Sequence, residues 1–198
     1  EHLANVPLTD ETTSELHLVS LTKGIHATTA IEANTLSLEE VGLRVHGELD
    51  LPPSKEYLGI EVDNMTSLYN DVIKAAMDGQ PFELTVETLK QFNARVLSGL
   101  DVAPEVVPGE IRTHNVTVHT YAGAPAEDCE FLLEELCAFI NDGEPANEGE
   151  RIPLAFIKAV FAHVVFEWIH PFGDGNGRVG RLIEFMILTN NGVPTSAA

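Results

Sequence analysis

Apolar residues recur at intervals of three and four along most of the chain, which is the period of helices with one buried face. The first such helix is predicted over residues 10–33, with Leu18, Leu21 and Ile25 on one stripe. Capping residues, or a return of the same period, mark further helices. These begin at Ser37, at Ser54 (running to about Met77), at Thr85 and at Ala126 (running to residue 141). The pattern predicts an all-α fold.

Two more predicted helices flank a glycine-rich loop near the end of the chain. Pro153 suits the first turn of the earlier helix, so a polar loop is expected before it. Residues 154–168 are apolar on most sides, which predicts a central position in the fold. The pair His170-Pro171 ends this helix, and an amphipathic helix is predicted to start near Gly177.

One segment departs from the helical period. Residues 99–125 contain several prolines and glycines, and residues 115–121 are rich in β-branched side chains. A small β-hairpin, or flap, is therefore predicted at about residues 111–122. No repeat or linker interrupts the chain, so one domain over residues 1–198 is expected, with N-terminal helices over 1–46 and a helical core over 47–198.

The chain carries 31 acidic and 11 basic residues, a net charge of −20. This balance argues against broad binding to nucleic acid or to an anionic membrane, because both need clustered cations. We expect no signal peptide and no apolar stretch long enough to span a bilayer. The sequence is expected to be a fragment of a longer protein.

Cys129 and Cys137 would lie about 12 Å apart on one helix, too far for a disulfide. Two reduced thiols favour a cytoplasmic protein.

The glycine-rich loop matches a familiar but weak pattern. Residues 175–180 read GxGxxG, which in dinucleotide-binding folds follows a strand and precedes an acidic residue about 20 positions later. Here an apolar helix precedes the loop and the chain ends before such a residue. The loop also lacks the Gly-Lys-Ser/Thr ending of a P-loop. Both of those nucleotide-binding classes are excluded.

The same loop collects groups that handle phosphate. Backbone N–H groups of a glycine-rich turn, at the positive end of a helix, receive phosphate oxygens. Arg178 and Arg181 share one helix face and can bind anions. Asp174 can hold Mg²⁺ together with phosphate oxygens, and His170 can act as a general base near neutral pH. This set, within twelve residues, predicts phosphoryl or nucleotidyl transfer.

Simpler roles stay open for single residues of this set. His170 could merely cap a helix end. Arg181 could pair with Glu184 on its own helix. His163 shares a helix face with His170 and could ligate a metal, although zinc would need a third ligand nearby, and a packed, hydrogen-bonded histidine is the better interpretation. The combination favours phosphate chemistry, because the simpler roles would all have to hold together.

Residues 170–181, His-Pro-Phe-Gly-Asp-Gly-Asn-Gly-Arg-Val-Gly-Arg, resemble the Fic-domain motif HxFx(D/E)GNGRxxR at every specified position. The resemblance extends over most of the chain, from about Leu16 to Pro194. Fic proteins typically transfer AMP from ATP to a Ser, Thr or Tyr hydroxyl of a target protein. The resemblance therefore implies a Fic-type helical fold, ATP as substrate and Mg²⁺ as cofactor.

Residue roles follow from the same resemblance. His170 would take the proton of the target hydroxyl, and Asp174 would hold Mg²⁺. The flap, residues 113–121, would dock the target backbone as an added strand. Phosphate contacts would come from Gly175, Asn176, Gly177, Arg178 and Arg181, the last nearest the γ-phosphate.

A second resemblance lies in the first predicted helix. Residues 28–34, Thr-Thr-Ala-Ile-Glu-Ala-Asn, are similar to the (S/T)xxxE(G/N) motif of self-inhibited Fic proteins. Glu32 would pair with Arg181 and deny it to the γ-phosphate, unless it is only a solvated helical carboxylate. Ala33 stands where the motif has Gly or Asn. Since Ala is the better helix former, the backbone is expected to stay helical there and inhibition to persist.

The leading hypothesis is thus a protein adenylyltransferase autoinhibited by Glu32. A de-AMPylase that uses the same site is the first alternative, and a non-catalytic nucleotide- or peptide-binding module is the second. Fic proteins are often dimers, so a homodimer stays open.

Overall fold

A computed structural model describes residues 10–118, 120–143 and 145–193. Within these ranges the chain forms seven α-helices and a two-stranded antiparallel sheet, so the all-α prediction with a small β-hairpin is confirmed. The helices are α1 (Asp10–Ile31), α2 (Leu38–Val45), α3 (Glu56–Met77), α4 (Val86–Val96), α5 (Cys129–Asn141), α6 (Glu148–Ile169) and α7 (Asn176–Asn190). The strands are β1 (Thr117–Val118) and β2 (Tyr121–Ala122), and short 3₁₀ turns cover Pro53–Lys55 and Ala126–Asp128.

Two helices begin where their capping residues predict. The Ser37 hydroxyl accepts a hydrogen bond from the Glu40 amide at 3.2 Å, and the Glu40 carboxylate accepts one from the Ser37 amide at 2.8 Å. This reciprocal capping box opens α2. At the start of α4, the Thr85 hydroxyl accepts from the Thr88 amide at 3.0 Å. These local bonds fix where the second and fourth helices start.

The central helix is α7, which packs against α1, α3, α4 and α6. Most of its side chains are buried, including Val179, Leu182 and Ile183, which are fully enclosed. The prediction that α6 would be central is wrong. Small residues on one side of α6 bring it close to α7, whereas bulky apolar side chains such as Ile157 (67 % exposed) and Trp168 (62 % exposed) lie on its outer face.

The start of α6 also differs from its prediction. The helix begins at Glu148, with Asn147 as the N-cap, so Pro153 lies inside it rather than in its first turn. Proline has no N–H to donate, and α6 therefore lacks one backbone bond near its start. By length and composition alone α6 could cross a membrane, contrary to expectation, although the core helix of a soluble protein passes the same test.

Candidate active site

The loop between α6 and α7 is held by side chains from inside and outside it. The Asn176 side chain accepts from the Phe172 amide at 3.0 Å and donates to the Phe172 carbonyl at 2.8 Å. Phe172 is buried and anchors the loop in the core. From α4, the Asn93 amide donates to the Asp174 carbonyl at 2.8 Å. Gly175 caps α7 with φ 78°, a left-handed conformation that glycine adopts without strain. The loop is thus a fixed platform.

Three backbone donors point out of this platform at the first turn of α7. No hydrogen bond within the described ranges uses the N–H groups of Asn176, Gly177 or Arg178, and the first intrahelical bond is donated by Val179 to Gly175. Gly175, as the N-cap, has no side chain to satisfy them. Free N–H groups at the positive end of a helix form an anion site. Gly177 contributes one of the three free donors, whereas the Gly175 amide donates to Asp174 Oδ1 and the Asn176 side chain serves the loop itself; the nucleotide-binding roles of these residues stay predictions.

Arg178 lies below this turn, in a buried network of charges. Its guanidinium contacts Glu61 of α3 at 3.1 Å and Asp174 at 3.3 Å, and its side chain is only 5 % exposed. Asp174 is 47 % exposed, and its Oδ1 also accepts from the Gly175 amide. Within the described residues no hydrogen bond or ion pair uses its Oδ2. One carboxylate oxygen of Asp174 therefore faces outward with no protein partner.

Arg181 is held by α1 rather than by its own helix. Its Nε donates to the Thr28 hydroxyl at 2.6 Å, and its Nη2 donates to Glu32 Oε1 at 2.5 Å. The alternative partner, Glu184, instead contacts His163 Nδ1 at 2.8 Å. His163 is thus a packed, hydrogen-bonded histidine. No group of three metal-ligating residues occurs in the described part of the chain, which leaves the His163–His170 metal hypothesis without support.

Glu32 also lies against the first turn of α7. A side chain at position 177 would collide with Glu32 Oε1, so Gly177 leaves room for this carboxylate. Glu32 therefore places its negative charge beside the positive end of α7 and on Arg181 at once. The pair is only partly exposed to solvent, at 18 % for Arg181 and 29 % for Glu32, which limits screening of their attraction.

The chain at Ala33 corrects the expectation that alanine keeps the backbone helical. The α1 helix ends at Ile31, and Ala33 has φ 68°, in the left-handed region. The Ala33 amide donates to Ala30 and the Asn34 amide to Thr29, at 3.1 and 3.0 Å. These two bonds are those of a Schellman motif with Ala33 at the position that favours glycine. This left-handed conformation explains why the motif has Gly or Asn at the position of Ala33, since alanine adopts it only under strain.

Asn34 then fixes the end of α1 to α3. Its buried side chain donates to the Leu58 carbonyl at 3.0 Å and to Glu61 Oε2 at 2.9 Å. The other oxygen of Glu61 holds Arg178 at 3.1 Å. The Glu61 carboxylate therefore joins the segment that carries Glu32 to the loop that carries the predicted phosphate-binding residues.

His170 and the flap are joined by one buried arginine. Arg112 donates through its Nε to the His170 carbonyl at 2.7 Å and through its Nη1 to the His114 carbonyl at 2.7 Å. It also donates to the carbonyls of Ala124 and Ile169. In the flap, Thr117 pairs with Ala122 and Val118 with Tyr121, within the predicted residues 111–122; His119 of that segment lies outside the described residues.

Sequence reasoning missed Glu61, Asn93 and Arg112. Each acts across a long stretch of chain, with partners 117, 81 and 58 residues away respectively. None belongs to a motif, and each looks locally like an ordinary polar residue on a helix or loop. No local signal in the sequence points to these contacts.

A cavity of about 220 Å³ borders Arg181 on the side away from the loop, between α1, α3 and α7. Tyr69 of α3 lines it, and burial, helped by the charge of Glu184 and opposed by that of Arg181, raises the pKa of Tyr69 to about 12. A Cβ added to Gly24 would meet no atom within 4 Å there. The packing of α1 is therefore loose beside its contact with Arg181.

Comparison with known proteins gives consistent matches. The sequence profile of the Fic/DOC family matches residues 83–188. Protein adenylyltransferase fic-1 of Caenorhabditis briggsae is 27 % identical over 170 residues, and protein adenylyltransferase Fic of Drosophila ananassae is 28 % identical over 173 residues. These alignments cover 86 % and 87 % of this chain but 32 % of each relative, so the chain spans about a third of the length of these curated relatives.

Solved structures show the same fold. A Fic family protein from Desulfovibrio desulfuricans G20 is 26 % identical, with a TM-score of 0.70 over 96 % of this chain and 53 % of its own. Fic-1 from C. elegans superposes with a TM-score of 0.78 over 98 % of this chain and 55 % of its own, at 23 % identity.

Proposed function

The chain belongs to the Fic/DOC family, and from that premise we propose that it is a protein adenylyltransferase held in an inhibited state by Glu32. The observation that carries the proposal is the first turn of α7. Three backbone donors that have no partner among the described residues lie there beside Arg181, on the same loop as His170 and opposite the carboxylate of Glu32. This arrangement binds and orients a phosphate chain next to a base.

In the proposed reaction, ATP places phosphate oxygens on the N–H groups of residues 176–178. His170 takes the proton of a target Ser, Thr or Tyr hydroxyl, and the hydroxyl oxygen forms a bond to the α-phosphorus. The bond from that phosphorus to the bridging oxygen breaks, and pyrophosphate leaves with the electron pair. Positioning and neutralisation of charge by the first turn of α7 and Arg181 supply most of the acceleration.

Asp174 fits the Mg²⁺ that the family implies. Mg²⁺ is commonly held by one or two carboxylates together with substrate phosphate oxygens rather than by an all-protein cage. Asp174 is half exposed, and its Oδ2 has no partner among the described residues, which suits this mode. When bound there, Mg²⁺ supplies charge neutralisation to the phosphates, while Arg178 holds the carboxylate in place.

Inhibition would act through competition for Arg181. The Glu32 carboxylate sits where it holds Nη2 of Arg181, next to the free donors of α7. A γ-phosphate needs the same guanidinium, and it would also meet the negative charge of Glu32. ATP therefore either enters without its full set of contacts or has to displace Glu32, and both slow transfer.

The target protein would dock on the flap. A two-stranded sheet leaves each strand with an unpaired edge, to which an extended target segment can add backbone hydrogen bonds. Arg112 fixes the flap to the backbone of His170, so a docked hydroxyl is presented to the base.

The proposal also places the protein in the cytoplasm and leaves a homodimer as a question for sedimentation measurements. Nucleic acid and membrane are not proposed as partners.

Removal of AMP is the second candidate function, favoured by the fixed position of Glu32. A carboxylate held on Arg181 at 2.5 Å can orient a water molecule in the site. The same residues would then release AMP from a modified protein.

The test is incubation with α-labelled ATP and Mg²⁺, measuring label on the protein itself. Wild type is expected to label weakly, Glu32→Gly more strongly by on the order of tenfold, and His170→Ala not at all, since a charge-assisted hydrogen bond contributes about 1.5–3 kcal/mol. Glu15→Gly is the matched control, because it places the same residue in the same helix at an exposed site.

Equal labelling of Glu32→Gly and Glu15→Gly would refute inhibition by Glu32. If no variant labels but a pre-modified target loses AMP, the second candidate function holds. If neither reaction occurs while nucleotide still binds, the chain is a binding module.

A further inference from the structure

Glu167 lies in the last turn of α6, three residues before His170. Its Oε2 is 3.7 Å from Nδ1 of His170, the ring nitrogen next to the side-chain stem. Among the described residues this is the carboxylate that contacts the imidazole of His170. It belongs to no motif considered above.

The second oxygen of Glu167 is in an unusual state. Oε1 is buried and has no hydrogen-bond partner among the described residues. Buried carboxylate oxygens without a partner are uncommon in native proteins. The Glu167 side chain as a whole is 31 % exposed, so one oxygen is enclosed while the other lies beside the proposed base.

The facing helix leaves room for this carboxylate. Gly180 of α7 lies opposite Glu167, and a Cβ there would lie 2.7 Å from Oε1 and 3.1 Å from Cδ2 of His163. Cβ atoms do not approach an oxygen so closely, so any larger residue at position 180 would displace Glu167. The Fic motif leaves this position unspecified. The side chain of Glu167 thus explains why position 180 of this chain is a glycine.

We propose that Glu167 is a positioning residue for His170: its carboxylate accepts the Nδ1–H of the imidazole and so leaves Nε2 as the nitrogen that takes the target proton. This inference rests on the proposed function of His170. As the target hydroxyl gives its proton to Nε2, the imidazole becomes positively charged while Nδ1 keeps its hydrogen. Glu167 stabilises that charge and is not itself protonated, in the manner of the carboxylate of a hydrolase triad.

At rest this contact is longer than a hydrogen bond and has to shorten for the proposed role. A hydrogen bond of this kind spans about 2.7–3.2 Å, so the contact at 3.7 Å is a loose ion-pair distance that tightens as the imidazole gains charge. The His170 backbone is fixed, because its amide donates to Phe166 at 2.9 Å and its carbonyl accepts from Arg112 at 2.7 Å. The flexible carboxylate, rather than the base, makes the adjustment.

The other histidine and carboxylate of this interface are already paired with each other. His163 Nδ1 contacts Glu184 Oε2 at 2.8 Å. Glu184 is therefore engaged elsewhere, and it supplies a matched control: a carboxylate on a neighbouring histidine of the same α6–α7 interface.

The first measurement is the tautomer of His170, from side-chain ¹⁵N chemical shifts in the wild-type chain and in Glu167→Gln. Wild type is expected to carry the hydrogen on Nδ1. In Glu167→Gln the amide can donate to Nδ1, so the hydrogen is expected to move to Nε2. Glu184→Gln is expected to alter the signals of His163 and to leave His170 unchanged. Because this readout needs no turnover, it separates the inference from the proposed function. Because the Gln carbonyl can also accept from Nδ1, Glu167→Ala, which has no acceptor, is measured as well, and a His170 tautomer unchanged in both variants overturns the inference.

The second measurement is AMP transfer in the Glu32→Gly background. Glu167→Gln is expected to lower kcat by about 10²- to 10⁴-fold, as loss of a base or its correct tautomer does, with the KM for ATP within about twofold. A rise in KM with unchanged kcat contradicts the inference, since it would mean a role in nucleotide binding.

A third variant perturbs the same contact from the other helix. Gly180→Ala should lower kcat by displacing Glu167, even though alanine is the better helix former. In a Glu167→Ala background, the same change should cause little further loss, because the displaced carboxylate is gone. Fully additive losses would show that Gly180 acts independently of Glu167, and would overturn this part of the inference.

Discussion

The left-handed conformation of Ala33 makes a prediction whose sign is unusual: replacing Ala33 by glycine should stabilise the chain. The residue has φ 68° at the C-terminal cap of α1, directly after Glu32. A non-glycine residue in this region costs about 1–2 kcal/mol. Glycine gives back about 0.4–1 kcal/mol through the greater entropy of the unfolded chain. The difference between these ranges runs from about 0 to about 1.6 kcal/mol, and values around its centre, about 0.5–1 kcal/mol, are expected as the net gain for Ala33→Gly.

That gain should also appear as tighter inhibition. Ala33 is strained only while the cap is formed, so glycine favours the capped state, and the cap holds the segment on which Glu32 meets Arg181. A bias of about 0.5–1 kcal/mol corresponds to a roughly two- to fivefold shift in population. Self-labelling by Ala33→Gly is therefore expected to fall roughly two- to fivefold below wild type.

The assay compares two exposed alanines of one segment. Ala27 lies inside α1, where glycine costs about 0.5–1 kcal/mol. For a chain of this size, thermal unfolding should move by about 2–4 °C per kcal/mol, upward for Ala33→Gly and downward for Ala27→Gly. A fall in both variants would refute the argument, because it would mean that Ala33 is not strained. If Ala33→Gly is more stable but labels itself as strongly as wild type, the cap of α1 does not control inhibition.

Three further outcomes are expected. Burial, followed by the nearby charge of Glu134, raises the pKa of Cys137 to about 11. In the urea-unfolded chain the thiol pKa is about 8.5, so iodoacetamide at pH 8 should alkylate Cys137 on the order of 100-fold more slowly in the folded chain. Asn34→Ala removes hydrogen bonds to the Leu58 carbonyl and to Glu61, so it should lower the free energy of unfolding by about 2 kcal/mol in urea titrations and raise self-labelling. Arg112→Lys leaves buried carbonyls without donors, so it should cost about 3 kcal/mol in the same titrations and reduce transfer to a target protein.

The helices and the loop chemistry were predictable because their signals are local. The capping box at Ser37 is written in four consecutive residues, and the donors of α7 follow from glycines at a helix start. Glu32 and Arg181 are 149 residues apart, and their pairing could be predicted only from two family motifs, one that contains Glu32 and one that contains Arg181. The hypothesis that the pair is inhibitory remains a prediction.

Other features depend on packing that a linear pattern does not contain. The burial of α6 was overestimated because α6 has more apolar side chains than its neighbours α5 and α7 cover. The left-handed Ala33 was missed because helix propensity describes a helix interior, whereas the motif position is a cap. Contacts of Glu61 and Arg112 arise only once distant segments have met.

Arg112 has a consequence for how this family member could change over time. Among the described residues, the hydrogen bonds of its side chain to the flap and to the His170 segment all go to backbone carbonyl oxygens, which every amino acid supplies. Substitutions along the flap therefore leave this clamp untouched. If the flap docks a target as proposed, its surface side chains are free to diversify without altering the backbone contacts that join the flap to His170. Selection for new targets and selection for catalysis would then be uncoupled at a single guanidinium.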